Sequence, residues 1–393
     1  MRARVAENFL KTETVLYIEG WVPEEEAPEF RSIVRNTCHD GYALEEEEVE
    51  RDSLIVPIKL KNNKFVKAFE SITAMYSMPR YNEIDPTPVL APFYWLFFGL
   101  MAGDIGYGLV LMLGTALALR FFHLKESMRS FMQFFFYLSI AMTLAGFLYG
   151  SAFSVTVFTP LPMEGGGYKA ILDSNTDIIT MLILSIALGV IQIIVGLCVK
   201  AYMLLRDGRP FSAIFDSLFF ILVLLSGIGL ILGMTGMLPE TVKTISWWTF
   251  WAMLAGLALT QGRESPSIGG KIGNGLYAVY GLTSYVGDIV SYTRIVALAL
   301  SGAYIGFSFN QLIVQVLPDN LFIKIVFGAA IALIGHLLNF GLSLLSAYVH
   351  TCRLQYVEYF GKFYEGGGVP FAPFKLQNTY VQIKKYSAMV MPV

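Results

Sequence analysis

Residues 281–309 read GLTSYVGDIVSYTRIVALALSGAYIGFSF, the centre of an apolar block running from about 275 to 316. About 20 apolar residues are enough to cross a bilayer as a helix. This block is about twice that length, and Arg294 lies near its middle, too far from either end to reach water easily. A charge at membrane depth costs a few kcal/mol or more, so it is kept only with a partner, a water path or a task. On a helix, the face of Arg294 carries Ser284, Gly287, Ser291, Ser301 and Gly302 at steps of three and four. Most of these are small and leave room for another helix and water. The plainer alternative is an arginine held by Asp288, or by another internal acid, to fasten a bundle.

Working outward, six more apolar blocks lie at about 91–120, 130–153, 177–200, 211–236, 244–262 and 321–352. Of the 393 residues, 55% are hydrophobic and 15% charged, against about 25% charged in soluble domains. Lipid is the solvent for most of the chain. Lysine and arginine collect at Arg120, Lys125 and Arg129, at Lys200, Arg206 and Arg209, at Arg263 and Lys271, and at Lys375, Lys384 and Lys385. The positive-inside rule makes these four stretches cytoplasmic. The loop 154–176, with Glu164 and Asp173, and the short loops 237–243 and 317–320 then fall on the other side. For the charged N-terminal region and the 120–129 loop to share a side, the first block has to be a short or re-entrant helical pair. The pair is expected to break at Gly103 and Asp104, with the carboxylate sheltered by protein or water.

The expected fold is therefore mainly α: a polytopic membrane helical bundle of about eight segments, with two long tilted C-terminal helices and both termini cytoplasmic. A small N-terminal α/β remnant precedes it, from strand-like TVLYIEGWV and helix-like EEEAPEFRSIVRNT. We divide the chain at 1–85 for this remnant and a proline-rich connector, 86–375 for the membrane domain, and 376–393 for the tail. Small-residue pairs such as Gly99 and Gly103, Gly146 and Gly150, and Gly302 and Gly306 allow close helix contacts.

The last block carries a second polar signal. His336, Asn339, Ser343, Ser346, His350 and Arg353 follow at steps of three, four, three, four and three, which puts all six on one helix stripe. That pattern fits a water-filled path or a polar seam against another helix, with Arg353 and His350 also placed to anchor the helix at the interface. Gln355 and Glu358 fall off the stripe and are expected at the interface.

Other chemistry is excluded. GGKIGNG at 269–275 lacks the spacing of a phosphate loop, and no HExxH, GxSxG or CxxC occurs. Cys38, Cys198 and Cys352 are too scattered for a disulfide framework or a metal site. The formal net charge of -2 leaves no polybasic surface for nucleic acid. No cofactor and no metal is expected.

Several strings resemble a known family, the I subunit of bacterial V/A-type ATPases, which corresponds to subunit a of eukaryotic V-ATPases. They are IEGWVP at 18–23, MPRYNEIDPTPVLAPF at 78–93, LMAGDIGYG at 100–108, SYTRIVALALSGAYIG at 291–306 and AYVHTCRLQYVEYFGKFYEGGGVPFAPF at 347–374. The resemblance implies the stator membrane subunit of an ATP-driven rotary pump in a bacterial plasma membrane, without a nucleotide site of its own. Arg294 would be its essential arginine and Arg353 the second, both approaching a rotating ring of proteolipid subunits. The polar stripe would line one of two half-channels for protons or sodium ions, with Ser291 and Ser284 beside it and Asp104, Asp288, Gln355 and Glu358 in secondary roles. The arm that ends at IEGWVP would meet peripheral-stalk subunits, and through them the catalytic head. Eukaryotic members carry a histidine where this chain has Gly302 and a glutamate where it has Ser343, so their proton-specific details do not transfer. Only the end of the family's cytoplasmic arm is represented, so the chain is not expected to reach the head by itself. Two other readings remain open. One is a stand-alone secondary transporter with a midplane arginine site, which predicts internal repeats that are not found. The other is a structural anchor, which leaves the polar stripe unexplained.

Overall fold

The computed structural model describes residues 10–12, 15–39, 41–49, 55–156, 161–162, 168–169, 171–172, 177–236, 238–261, 267–315 and 321–373. Glu164, Asp173, Arg263, Lys375, Lys384, Lys385, the 317–320 loop and the 376–393 tail lie outside these residues. The chain forms two compact units: one of residues 1–60, 80–82 and 367–393, the other of 61–79 and 83–366.

In the first unit Leu10–Lys11 (β1) pairs antiparallel with Leu16–Tyr17 (β2), and Pro57–Ile58 (β3) pairs parallel with the strand Val369–Pro370. Helix α1, Ala27–Cys38, has proline in its first turn, where a missing N–H costs nothing. It buries none of its residues. Arg31 grips Glu46 through two hydrogen bonds, and Lys59 pairs with Glu26.

The second unit is a helical bundle. It contains α2 (Lys64–Tyr76), α3 (Thr87–Ala102), α4 (Ile105–Phe121), α5 (Glu126–Tyr149), α6 (Ile178–Arg206), α7 (Pro210–Met234), α8 (Glu240–Thr260), α9 (Ile268–Ser291), α10 (Arg294–Gln315) and α11 (Leu321–Arg353). Among the described residues, five helical spans are long and apolar enough to cross a membrane: Glu126–Tyr149, Ile178–Arg206, Pro210–Met234, Gly273–Gln315 and Ile325–Lys362. With the shorter apolar α3 and α4, and with α8, they make the eight expected segments.

The first block breaks where expected. Gly103 and Asp104 leave the helical conformation, and the Asp104 carboxylate caps α4 by accepting from the Tyr107 amide at 3.0 Å. Asp104 also accepts from the amides of Phe153 and Ser154, at 2.9 and 2.8 Å. Those two residues form the turn between Ser151–Ala152 (β4) and Val155–Thr156 (β5), both at positive φ, 51° and 59°. Such turns favour asparagine and glycine. Here the carboxylate offsets the strain by satisfying both turn amides. A Cβ on Gly146 would lie 2.3 Å from the Ile105 nitrogen, so the α4–α5 contact requires hydrogen at that position.

Aromatic rings fill the core between α2, α3, α5 and α10. Phe69 lies 5.2 Å from Phe134, Tyr94 5.6 Å from Phe134, and Phe97 5.7 Å from Tyr292. Within the Gly273–Gln315 span, Tyr292 and Thr293 form a turn between α9 and α10. There the amides of Thr293, Ile295 and Val296 bond carbonyls three residues back, tightening one turn.

Candidate functional site

The tightened turn delivers Arg294 as the first residue of α10, half-buried, beside the foot of the span that α11 begins. Past Arg353 that span continues through a π-helical turn, Leu354–Tyr359. One extra residue in the turn rotates whatever follows it relative to an ordinary helix. Gln355 and Glu358 consequently point inward, at 0% and 2% exposure, and not to the interface where they were expected. The Glu358 carboxylate stands 3.9 Å from the Arg294 guanidinium.

A rigid frame holds this pair. Tyr292 donates to the Gln192 carbonyl at 2.9 Å, and the Gln192 amide donates to the Gln355 carbonyl at 2.6 Å; all three side chains are fully buried. Gly189 makes the frame possible, since a Cβ there would lie 2.3 Å from the Tyr292 ring. Asp288, one candidate partner for Arg294, is instead paired with Lys362, whose ammonium also lies 3.9 Å from the centre of the Tyr285 ring. Several buried polar atoms of this pair and of the last span lack a protein partner: Arg294 Nη1, His350 Nδ1, Gln355 Nε2, Glu358 Oε2 and Tyr359 Oη. Buried polar groups are ordinarily hydrogen-bonded, to protein or to water.

Arg353 has a different setting. It is exposed and continues an outward-facing row of Leu342, Leu345 and Val349, followed by Val357. It lies close enough to Arg294 for the two charges to repel. Ser284 is exposed on α9, a Cβ on Gly287 would meet nothing, and Ser291 donates to the Gly287 carbonyl.

The other end of the polar stripe is knitted to neighbouring helices. Asn339 donates to the Tyr107 hydroxyl at 3.2 Å and to the Gly302 carbonyl at 3.0 Å, and Ser343 to the Asn339 carbonyl at 3.4 Å. His336 Nδ1 lies 2.7 Å from the Tyr107 hydroxyl, and its Nε2 lies 3.1 Å from the Asn310 carbonyl oxygen. Ser346 is half-buried between the two regions. Gly302, read as part of the Arg294 face, packs against Ser343. Asp104 is 5% exposed and is consumed by its three backbone amides.

Sequence reasoning missed Tyr107, Gln192, Tyr292, Asn310 and Lys362. A signal existed for Gln192, which interrupts an otherwise apolar run in the middle of α6.

Residues 6–160 and 282–376 match the model of the V-type ATPase 116kDa subunit family. The chain is 31% identical over 403 residues to an A-type ATP synthase subunit I of Methanocaldococcus jannaschii, covering 95% of this chain and 57% of that protein. A protein of the same description from Pyrococcus horikoshii is 30% identical over 387 residues, covering 96% of this chain and 56% of its own length. A V-type ATP synthase subunit I of Borreliella burgdorferi is 26% identical over 374 residues, covering 91% and 60%. The chain thus spans a little over half the length of these relatives.

Proposed function

The chain belongs to the V-type ATPase 116kDa subunit family, and from that premise we propose that it is the membrane part of the stator of a rotary V/A-type ATPase. It carries protons or sodium ions to and from a turning proteolipid ring through two half-channels, coupled to ATP hydrolysis or synthesis elsewhere in the complex. The observation that carries this reading is the Arg294 guanidinium, held at a tightened turn inside an apolar span, with its Nη1 buried and without a protein partner.

The mechanism follows from electrostatics. A ring carboxylate is neutral, with its ion bound, while it faces lipid. Opposite Arg294 the ionised form is favoured, since unit charges about 4 Å apart attract by about 4 kcal/mol at an effective dielectric near 20. The ion therefore leaves before the carboxylate passes. Arg353, on the exposed row of the last long span, meets the same ring. A fixed cation between two offset water paths blocks direct leak, so net transport requires rotation. The stripe of His336, Asn339, Ser343, Ser346 and His350 lines one path, and Ser284 and Ser291 face the ring. Residues 1–85 end the arm that meets the peripheral stalk, 86–375 form the translocating domain, and 376–393 a cytoplasmic tail.

The test is Arg294→Ala in the complete complex, reconstituted into vesicles. ATP-driven ion uptake should vanish while the ring still co-purifies, and uptake measured with and without sodium identifies the ion. Pumping that survives the substitution refutes the assignment.

A further inference from the structure

Glu358 is the buried acid that the stator mechanism leaves unused. Its carboxylate is 2% exposed, and its nearest cation, Arg294, stands 3.9 Å away. Charge-assisted hydrogen bonds close to about 2.7–2.9 Å, so the two groups are apposed without being locked. Six residues before Arg294 and one turn beyond Glu358, Asp288 and Lys362 show the contrasting case, a closed pair with the cation also seated on Tyr285. A carboxylate meant only to hold the bundle would look like Asp288.

The Glu358 Oε2 and Arg294 Nη1 atoms are both buried and without a protein partner, as are Gln355 Nε2, His350 Nδ1 and Tyr359 Oη on the same last span. A buried water takes two to four polar partners, and Glu358 and Arg294 supply two of them. The frame is stiff, because Tyr292 and Gln192 fix the Gln355 amide so that its carbonyl is used and its N–H groups are free. The π-helical turn Leu354–Tyr359 aims both Gln355 and Glu358 into this space, and isolated π turns frequently sit at functional sites.

We propose that Glu358 is a relay carboxylate of the stator, accepting the proton that a ring carboxylic acid surrenders on reaching Arg294. The inference rests on the stator reading above. The ring acid's O–H bond breaks and, through bridging water, an O–H bond forms on Glu358. The ring carboxylate is left paired with Arg294, and Glu358 becomes neutral. Glu358 then gives its proton to water toward the bundle end where Lys362 and Asp288 lie, and is restored as a carboxylate. Each transfer conserves one proton and one negative charge.

The experiment uses the complete complex in vesicles, with the initial rate of ATP-driven proton uptake as readout and co-purification of the ring as the check on assembly. Glu358→Gln keeps size and polarity but cannot accept the proton, and it should lower uptake at least about tenfold with the ring retained. Glu358→Asp withdraws the carboxylate by one methylene and should fall between, slowed about two- to tenfold. Uptake by the glutamine variant equal to that of wild type, or to that of the aspartate variant, overturns the relay. So does sodium-driven uptake indifferent to both changes. If the glutamine variant does not assemble, the aspartate variant decides, and unchanged uptake there overturns the relay. Arg294→Ala run alongside separates the two claims. Loss there with a pumping glutamine variant sinks only the relay, whereas pumping by the alanine variant sinks the stator reading itself.

Discussion

Asp104 is the residue whose removal the structure prices most directly. Its carboxylate accepts three backbone amides: Tyr107 and Phe153 on Oδ1, and Ser154 on Oδ2. Asp104→Ala removes a helix N-cap, about 1 kcal/mol. It also removes two hydrogen bonds to a charged acceptor, which contribute about 1.5–3 kcal/mol each. Phe153 is exposed and Ser154 half-buried, so water partly replaces the carboxylate and the lower figure applies. The sum is about 4 kcal/mol. Asp104→Asn keeps one oxygen for Tyr107 and Phe153 but turns an N–H₂ toward the Ser154 amide, costing about 1.5 kcal/mol. Thermal unfolding in detergent should therefore rank wild type above asparagine and asparagine above alanine. Amide hydrogen exchange gives the local test, because losing about 1.4 kcal/mol at one amide speeds exchange about tenfold. In the alanine variant both turn amides should lose protection, and in the asparagine variant chiefly Ser154. Unchanged protection at Phe153 and Ser154 in the alanine variant, or an asparagine variant as unstable as alanine, would refute the reasoning.

Two further outcomes are expected. Gln192→Leu strands the Tyr292 hydroxyl and the Gln355 carbonyl in the core, costing about 2–4 kcal/mol; a lowered unfolding temperature in detergent checks it, with Gln192→Glu, which still accepts from Tyr292, falling in between. Burial raises the Glu70 carboxyl above its ordinary range, outweighing the hydrogen bond from Asn62, so the folded state bears a cost for that charge at neutral pH. Glu70→Gln should raise the unfolding temperature at pH 7, and the gain should fade as pH drops through the folded value and be gone below about 4.3, where both states of the wild type are protonated; a gain that persists in acid contradicts the burial argument.

Much of the site was legible one residue at a time and little of it as a constellation. The 3-4 rhythm from His336 to Arg353 puts six polar groups on one stripe, and the described helix runs unbroken through all of them. That rhythm could not say that Asn339 and His336 would be tied to Tyr107, because the tyrosine comes from α4, 232 and 229 residues away in sequence. Nor could it place Gln355 and Glu358. Periodicity assumes a constant angular step per residue, and the π turn after Arg353 alters that step where the site is built. The tightened turn before Arg294 likewise alters the step between it and Ser284, Gly287 and Ser291, and no proline or glycine at 292–293 announces it.

Read alone, the chain's composition and block lengths determine a membrane bundle, its eight segments and the break at Gly103 and Asp104. These depend on how lipid treats charge and unpaired backbone groups, which is a property of each segment by itself. Which acid faces Arg294 was settled only by packing. Asp288 is six residues away along the chain and Glu358 sixty-four, yet Asp288 is taken by Lys362 and Glu358 is left facing the guanidinium. That choice depends on two local changes of helical pitch and on a glutamine from a third helix, none of which acts until the helices have come together.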